Sequence, residues 1–278
     1  MEGTSNHRPS ALVTGASSGM GREFARVLAE RGHDLIITAR RADRLMELKQ
    51  ELEAAHGVSV AVIPADLNSP DGATKLFSQV QAQGHDVEIL INNAGFGIFG
   101  AFLEQTPAEI DAMIQVNVAA LTTLTRLFAE QMAKRGGGQI LQISSYAGVQ
   151  PIPGYTVYSG AKAYVVAFAQ ALRHELKKHN VRVCVMAPGF SATEFHDVSG
   201  HVKTSTMRFL SLSPRKFAEA GLKGLFRNQF LITPGWMYRI NNFVLCFLPR
   251  SVASAISAAI VKHRTKEKQD YEQSKKAA

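Results

Sequence analysis

Seven short apolar runs punctuate the first 235 positions, at 11–13, 35–37, 58–63, 89–91, 140–143, 181–186 and 230–232. Each is too short for a helix and apolar on consecutive residues, so each predicts a β-strand buried on both faces. Between the runs the apolar residues space out to every third or fourth position, as in Phe24, Val27 and Leu28, then Leu45, Leu48 and Leu52, then Ile110, Met113 and Ile114. That spacing predicts helices with one inward face. Two helix starts carry their own signal, Thr106-Pro107 followed by Glu109, and Ser213-Pro214. Each offers an N-cap oxygen and then a proline at the first helical position, where a missing N–H costs nothing. The alternation predicts an α/β chain of doubly wound type, a single-domain seven-stranded parallel sheet with helices on both faces. In such a sheet ligands bind beyond the carboxyl ends of the strands.

The residues just after each run therefore carry the candidate chemistry. After the first comes Thr14-Gly15-Ala16-Ser17-Ser18-Gly19-Met20-Gly21, leading directly into the helix of Phe24 and Val27. Glycines permit the tight turn and let backbone N–H groups approach a pyrophosphate, which also gains from the positive end of the helix. The second run ends in Arg40-Arg41, where a fold selecting NAD would offer an acid to the ribose. A charge-assisted pair between Arg40 and a 2'-phosphate is worth about 1–3 kcal/mol and predicts NADP(H). The alternative is that both arginines open a solvated helix. Asp66-Leu67 follows the third run and Asn92-Asn93-Ala94-Gly95 the fourth, each bringing polar groups and backbone to the cofactor edge. Asp66 reads equally well as a turn residue.

Beyond the fifth run stand Ser144-Ser145 and, thirteen residues after Ser145, Tyr158 with Lys162 four positions on. Residues four apart share one helix face. A free phenol titrates near pH ~10 and is a poor acid–base group at neutrality. An ammonium about 4 Å away, at an effective dielectric of about 20, would lower that value by up to about three units. The same spacing recurs in Tyr271 and Lys275, but in a charged tail with no strand or serine before it.

The glycine turn, Asn-Asn-Ala-Gly, Asn117, Ser145 and Tyr-Ser-Gly-Ala-Lys, in that order, strongly resemble the short-chain dehydrogenase/reductase family over about residues 11–235. The resemblance implies a Rossmann-type sheet and an oxidoreductase moving hydride between NADP(H) and a carbonyl or secondary alcohol. It implies that Ser145 bonds the substrate oxygen, Tyr158 passes the proton, Lys162 holds the ribose and tunes Tyr158, and Asn117 anchors a water leading from Lys162. Pro188-Gly189 would lie by the nicotinamide and Thr193 near its carboxamide or the phosphates. Met20 departs from the usual Ile or Leu, and Gly160-Ala161 from the commoner Ala-Ser. A glycine inside a helix costs roughly 1 kcal/mol against alanine, so a packing reason for Gly160 is expected. A non-catalytic NADP(H)-binding sensor on the same fold, and a dehydrogenase of hydroxy acids or sugars, are the competing readings. An intact Ser145, Tyr158 and Lys162 set speaks against the first, and apolar loops against the second.

Composition adjusts this picture at its edges. The 278 residues, 46% hydrophobic, suit one large domain. The net charge of +8 comes from scattered Lys and Arg without a basic aromatic stripe, which predicts no nucleic-acid partner. Cys184 and Cys246 make no disulfide framework, and no Cys/His cluster has metal-ligand spacing, so a reducing, cytoplasmic setting is expected. Residues 1–9 read as a flexible, polar N-terminus without a secretion core. Residues 10–235 form the catalytic domain, with a substrate loop at 190–213 containing His196 and His201. Apolar residues there and at 96–102 predict an apolar or bulky carbonyl or alcohol substrate. Residues 236–261 read as a helical extension that caps the site, makes a dimer contact or touches a membrane surface, and 262–278 as a basic tail. The family further implies a homodimer or homotetramer through helices near 121–132 and 164–172.

Overall fold

A computed structural model of the protein describes residues 9–189, 212–245, 247, 249, 251–252 and 254–259. The seven runs become β1 (Ser10–Thr14), β2 (Asp34–Thr38), β3 (Val60–Val62), β4 (Val87–Asn92), β5 (Gly138–Ile143), β6 (Val181–Met186) and β7 (Leu231–Ile232). They form one sheet in the order β3-β2-β1-β4-β5-β6-β7, parallel throughout. The helices are α1 (Gly19–Glu30), α2 (Ala42–His56), α3 (Gly72–Ala82), α4 (Pro107–Ile114), α5 (Leu121–Arg135), α6 (Tyr146–Val149), α7 (Thr156–Leu176), α8 (Pro214–Phe226) and α9 (Trp236–Leu245). The strand order reverses between β1 and β4, which opens a crevice at their carboxyl ends.

Consecutive apolar residues are needed because successive side chains of one strand enter different cores. Ala11, Val13, Leu35 and Ile37 pack with Phe24 and Leu28 of α1, Leu45 and Leu48 of α2, and Phe217 and Leu222 of α8. Their neighbours Leu12 and Ile36 face the other way, against Leu76 of α3, Leu124 and Phe128 of α5, and Val165 and Ala169 of α7. The stretch Pro107–Arg135 is long and apolar enough, by length and composition, to cross a membrane. Leu121, Leu124, Phe128 and Met132 nevertheless point into the second core.

Both anticipated helix starts form. Thr106 and Glu109 close a capping box at α4, and Ser213 accepts from the Lys216 N–H at α8. The anticipated inward face of α4 is only partly right, since Met113 is buried but Ile114 is exposed. The helix widens there into a π-helical turn, Gln115–Ala120, whose longer hydrogen-bonded loops rotate the following residues. Met113, Asn117 and Ala120, rather than Ile114, then point inward. The Gly160 expectation fails outright, because a β-carbon there would meet nothing within 4 Å. Of the expected substrate loop, residues 190–211, with Thr193, His196 and His201, lie outside the described residues, as does the basic tail.

With no contact to lose, Gly160→Ala should raise stability by about 0.5–1 kcal/mol through the unfolded chain's lost freedom. Urea denaturation would register this as a higher midpoint at unchanged slope, and a lowered midpoint would reveal a constraint at this position.

Candidate active site

The carboxyl ends of β1 and β4 are stitched together by the residues that follow them. Thr14 Oγ1 accepts from the N–H groups of Asn93 and Ala94, both at 2.9 Å, and Asn93 Nδ2 donates to the Thr14 carbonyl at 2.9 Å. Gly15 takes φ +68°, and a β-carbon on it would lie 2.9 Å from Asn93 Nδ2. Gly21 has no room either, since a β-carbon would strike the Gly15 carbonyl. Gly21 therefore seats α1 against the turn rather than lining the crevice.

A cleft of about 450 Å³ opens here, walled by Gly15, Ser17, Ser18, Gly19 and Met20 on one side and by Asn93, Ala94 and Gly95 on another. Arg40, Arg41, Asp66 and Leu67 also line it. Arg41 Nη2 donates to Ser17 Oγ at 3.1 Å and Ser18 Oγ at 2.9 Å. Ser18 is the N-cap of α1 but makes no side-chain cap, and the first turn holds no acid. Free N–H groups, two hydroxyls and a guanidinium thus converge on one helix start, and these residues fit the phosphates of a dinucleotide. Arg41 is also the N-cap residue of α2, so it both opens that helix and stands in the wall of the cleft. Asp66 Oδ1 accepts from the Asn68 N–H at 3.0 Å, so Asp66 builds the turn while standing in the wall.

Deeper in, Tyr158 and Lys162 share the buried face of α7 with Ser159, Ala161 and Val165. Ser145 caps α6, accepting from the Ala147 N–H at 3.2 Å, and its side chain is hydrogen-bonded to Tyr158. Lys162 Nζ donates to the Ile143 carbonyl at 2.9 Å, and Ser144 Oγ donates to the Lys162 carbonyl at 2.7 Å. The π-helical turn delivers Asn117 to the same place. Its Nδ2 donates to the carbonyls of Phe96 at 2.8 Å and Met113 at 2.9 Å. That pairing fixes which way the amide points, and Asn117 Oδ1 is buried without a hydrogen-bond partner. A β-carbon at Gly95 would lie 2.5 Å from this oxygen and 3.1 Å from Lys162 Nζ. An orphaned acceptor beside an ammonium is what the expected water bridge requires.

The electrostatic expectation for the pair is overturned. Burial pushes the Tyr158 phenol above its ordinary value, Tyr155 adds to the rise, and only the Ser145 hydrogen bond opposes it. Burial pushes Lys162 down to about 8. Its Nζ is 5.7 Å from the centre of the Tyr158 ring, and it is the Ile143 carbonyl that it bonds. Taking a phenolate and an ammonium out of water costs more than their attraction at this separation returns. At neutral pH the site holds a protonated phenol beside an ammonium close to releasing its proton.

The model of the short chain dehydrogenase family matches residues 9–202. The chain belongs to this family. Among its relatives is nodulation protein G of Rhizobium sp. (strain N33), 36% identical over 187 residues that cover 67% of this chain and 75% of that one. The ketoacyl reductase HetN of Nostoc sp. is 33% identical over 214 residues, covering 77% and 74%. A short-chain dehydrogenase from Sphingobium yanoikuyae, solved in complex with NADPH, superposes with a TM-score of 0.76 at 29% identity, over 87% of this chain and 96% of that one.

Several residues of this short-chain dehydrogenase site escaped the sequence. A β-carbon on Gly97 would lie 2.8 Å from Tyr158 Cγ and Cδ2, so Gly97 is the seat of the phenol ring. The second glycine in Gly95-Phe96-Gly97 was the available hint. Tyr155 stacks at a tilt on Tyr158 at 5.7 Å, and Phe99 on Tyr155 at 5.1 Å. Pro188 accepts from the Tyr146 N–H at 2.8 Å, while Gly189 is covered by the ring of Tyr238 from α9. Tyr238 also packs on Tyr146 at 5.0 Å. Asn241 donates to the Tyr146 hydroxyl and to Gln150 Oε1 at 3.2 Å, and Gln150 Nε2 donates to Ser257 Oγ at 2.6 Å. The inner side of the extension is thus a cap over this end of the site, and no local pattern around Tyr238 announces it.

Because Lys162 binds its proton less tightly folded than unfolded, the cost of charging it is fully present below about pH 8. That cost fades as pH rises toward its ordinary value, so wild-type stability relative to Lys162→Met should rise by the order of 1–3 kcal/mol across that window. Urea unfolding of both proteins between pH 7 and 10.5 measures it, and a flat difference would mean the ammonium pays no burial cost.

Proposed function

We propose that the protein transfers hydride between NADP(H) and a carbonyl or secondary alcohol, with Tyr158 as general acid and base. The observation that carries this reading is the Ser145–Tyr158 hydrogen bond, formed on the same buried helix face as Lys162. A nicotinamide, when bound, supplies or accepts the hydride. Ser145 and Tyr158 both present O–H groups to one oxygen, so Ser145 holds it while the Tyr158 proton moves onto it as the carbonyl carbon is reduced. Burial keeps that phenol protonated at neutral pH, the form that reduction consumes. Lys162, pushed down to about 8, gives up a proton near working pH and stands next to the partnerless Asn117 oxygen. That arrangement supports resupply of the phenol from this side.

Arg40 and Arg41, on the wall beside the Ser17 and Ser18 hydroxyls, support NADP(H) over NAD(H), as does the NADPH bound by the Sphingobium relative. The aromatic and aliphatic surroundings of Tyr158, with Phe96, Ile98, Phe99 and Tyr155 in one cluster, support an apolar or bulky substrate, as does kinship with a ketoacyl reductase.

NADPH oxidation over a panel of bulky ketones, diketones and ketoacyl thioesters should detect turnover, and Tyr158→Phe should reduce it by about 10²–10⁴-fold with NADPH affinity kept. Tight NADPH binding without turnover on any substrate would instead identify a sensor. Arg40→Ala with Arg41→Ala should weaken NADPH by roughly 5- to 150-fold and leave NADH affinity unchanged. Equal losses for both cofactors would remove the 2'-phosphate assignment.

A further inference from the structure

Ser145 is the N-cap of α6, a helix of only four residues, Tyr146–Val149, with Gln150 as its C-cap. A single turn of helix is not stable by itself, so its place is set by what grips it. The two faces of α6 meet different partners. On the inner face a β-carbon at Gly148 would lie 2.5 Å from the carbonyl carbon and oxygen of Lys162 and 2.8 Å from Ser144 Oγ, so the backbone of α6 rests directly on α7. Tyr146 and Gln150, four apart and therefore on one side, meet the extension instead. The Tyr238 ring packs on that of Tyr146. Asn241 Nδ2 donates both to the Tyr146 hydroxyl and to Gln150 Oε1. Gln150 Nε2 donates to Ser257 Oγ at 2.6 Å, a bond between two buried residues.

This grip bears on the serine. Ser145 Oγ accepts from the Ala147 N–H of α6 at 3.2 Å, which occupies one lone pair and turns the hydroxyl proton away from the helix. A shift of α6 would carry the Ala147 N–H with it and redirect that proton, and donors that stabilise a reacting oxygen lose most of their effect when misaimed. We propose that Asn241 and Ser257 are positioning residues: by holding Tyr146 and Gln150 they fix α6 against α7 and keep the Ser145 hydroxyl aimed at the oxygen it shares with Tyr158. The extension then supports the reacting groups as well as covering them. The inference rests on the role given to Ser145 in the hydride-transfer reading and extends it to residues that act through that serine.

Asn241→Leu with Ser257→Ala removes one donor and one acceptor and leaves Ser145, Tyr146 and Gln150 in place. With a ketone that the parent reduces, kcat should fall about tenfold, the worth of these few hydrogen bonds, at parental KM and NADPH affinity. Asn241→Leu with Ser257→Thr, which keeps a hydroxyl, should recover part of the loss. In a Ser145→Ala background the double change should cost nothing further, because the serine it serves is gone. Without any substrate, amides of residues 144–150 should exchange with deuterium about tenfold faster in the double variant while those of α7 keep the parental rate. Should that variant fail to bind NADPH, Tyr146→Phe is read in its place, since it removes only the hydroxyl that Asn241 holds, with a loss of about threefold expected. Parental exchange, or faster exchange at undiminished kcat, would overturn the inference. So would an equal loss in the Ser145→Ala background, or a raised KM at unchanged kcat. A parent that turns over no ketone removes the hydride-transfer reading alone, and exchange in 144–150 then decides whether α6 is held as proposed.

Discussion

Lys162 lies in the interior with its ammonium on a single backbone carbonyl, that of Ile143, and with Tyr158 one helical turn before it on the same buried face. Holding these two ionisable groups out of water is costly, and much of the surrounding structure compensates for it. Ser144 anchors the Lys162 backbone, Ser145 engages the phenol, and Asn117 brings an acceptor to the same space through a locally widened helix. The result differs from simple charge pairing. Desolvation dominates, so a buried, protonated phenol stands next to an ammonium that holds its proton less firmly than usual.

The cofactor side rests on a different principle, close approach of backbone. Gly15, Gly21, Gly95 and Gly97 each occupy a place where a β-carbon would strike a neighbour. The first two let the chain turn and α1 start beneath an anion. The latter two leave room for Asn117, Lys162 and the Tyr158 ring. Substituting any of them alters the position of a polar group rather than its identity, which is why the site depends as much on absent side chains as on those present.

The extension after β7 joins these parts to the outside. Its inner side closes over Gly189 and Tyr146, whereas its outer side carries apolar surface that the rest of the described chain does not cover. One helix therefore couples the rim of the site to whatever lies against the outer surface.

Much was legible in the sequence because it is written in local periodicity. Seven doubly buried strands, the capped starts of α4 and α8, the glycine turn and the Tyr158–Lys162 face follow from side-chain alternation, helix geometry and backbone sterics, each acting over a few residues. The partnerships that decided the chemistry act over long separations and had no local signature. A β-carbon on Gly97 would come within 2.8 Å of a ring carried by α7, Tyr238 closes on Gly189, and the widened turn between α4 and α5 turns Asn117 inward. Gly160, by contrast, had a rule-based expectation that tertiary structure denied, since nothing packs against it. The direction of the pKa shifts was decided the same way: sequence spacing tells how near two charges can come, but only the folded interior sets how much water they lose.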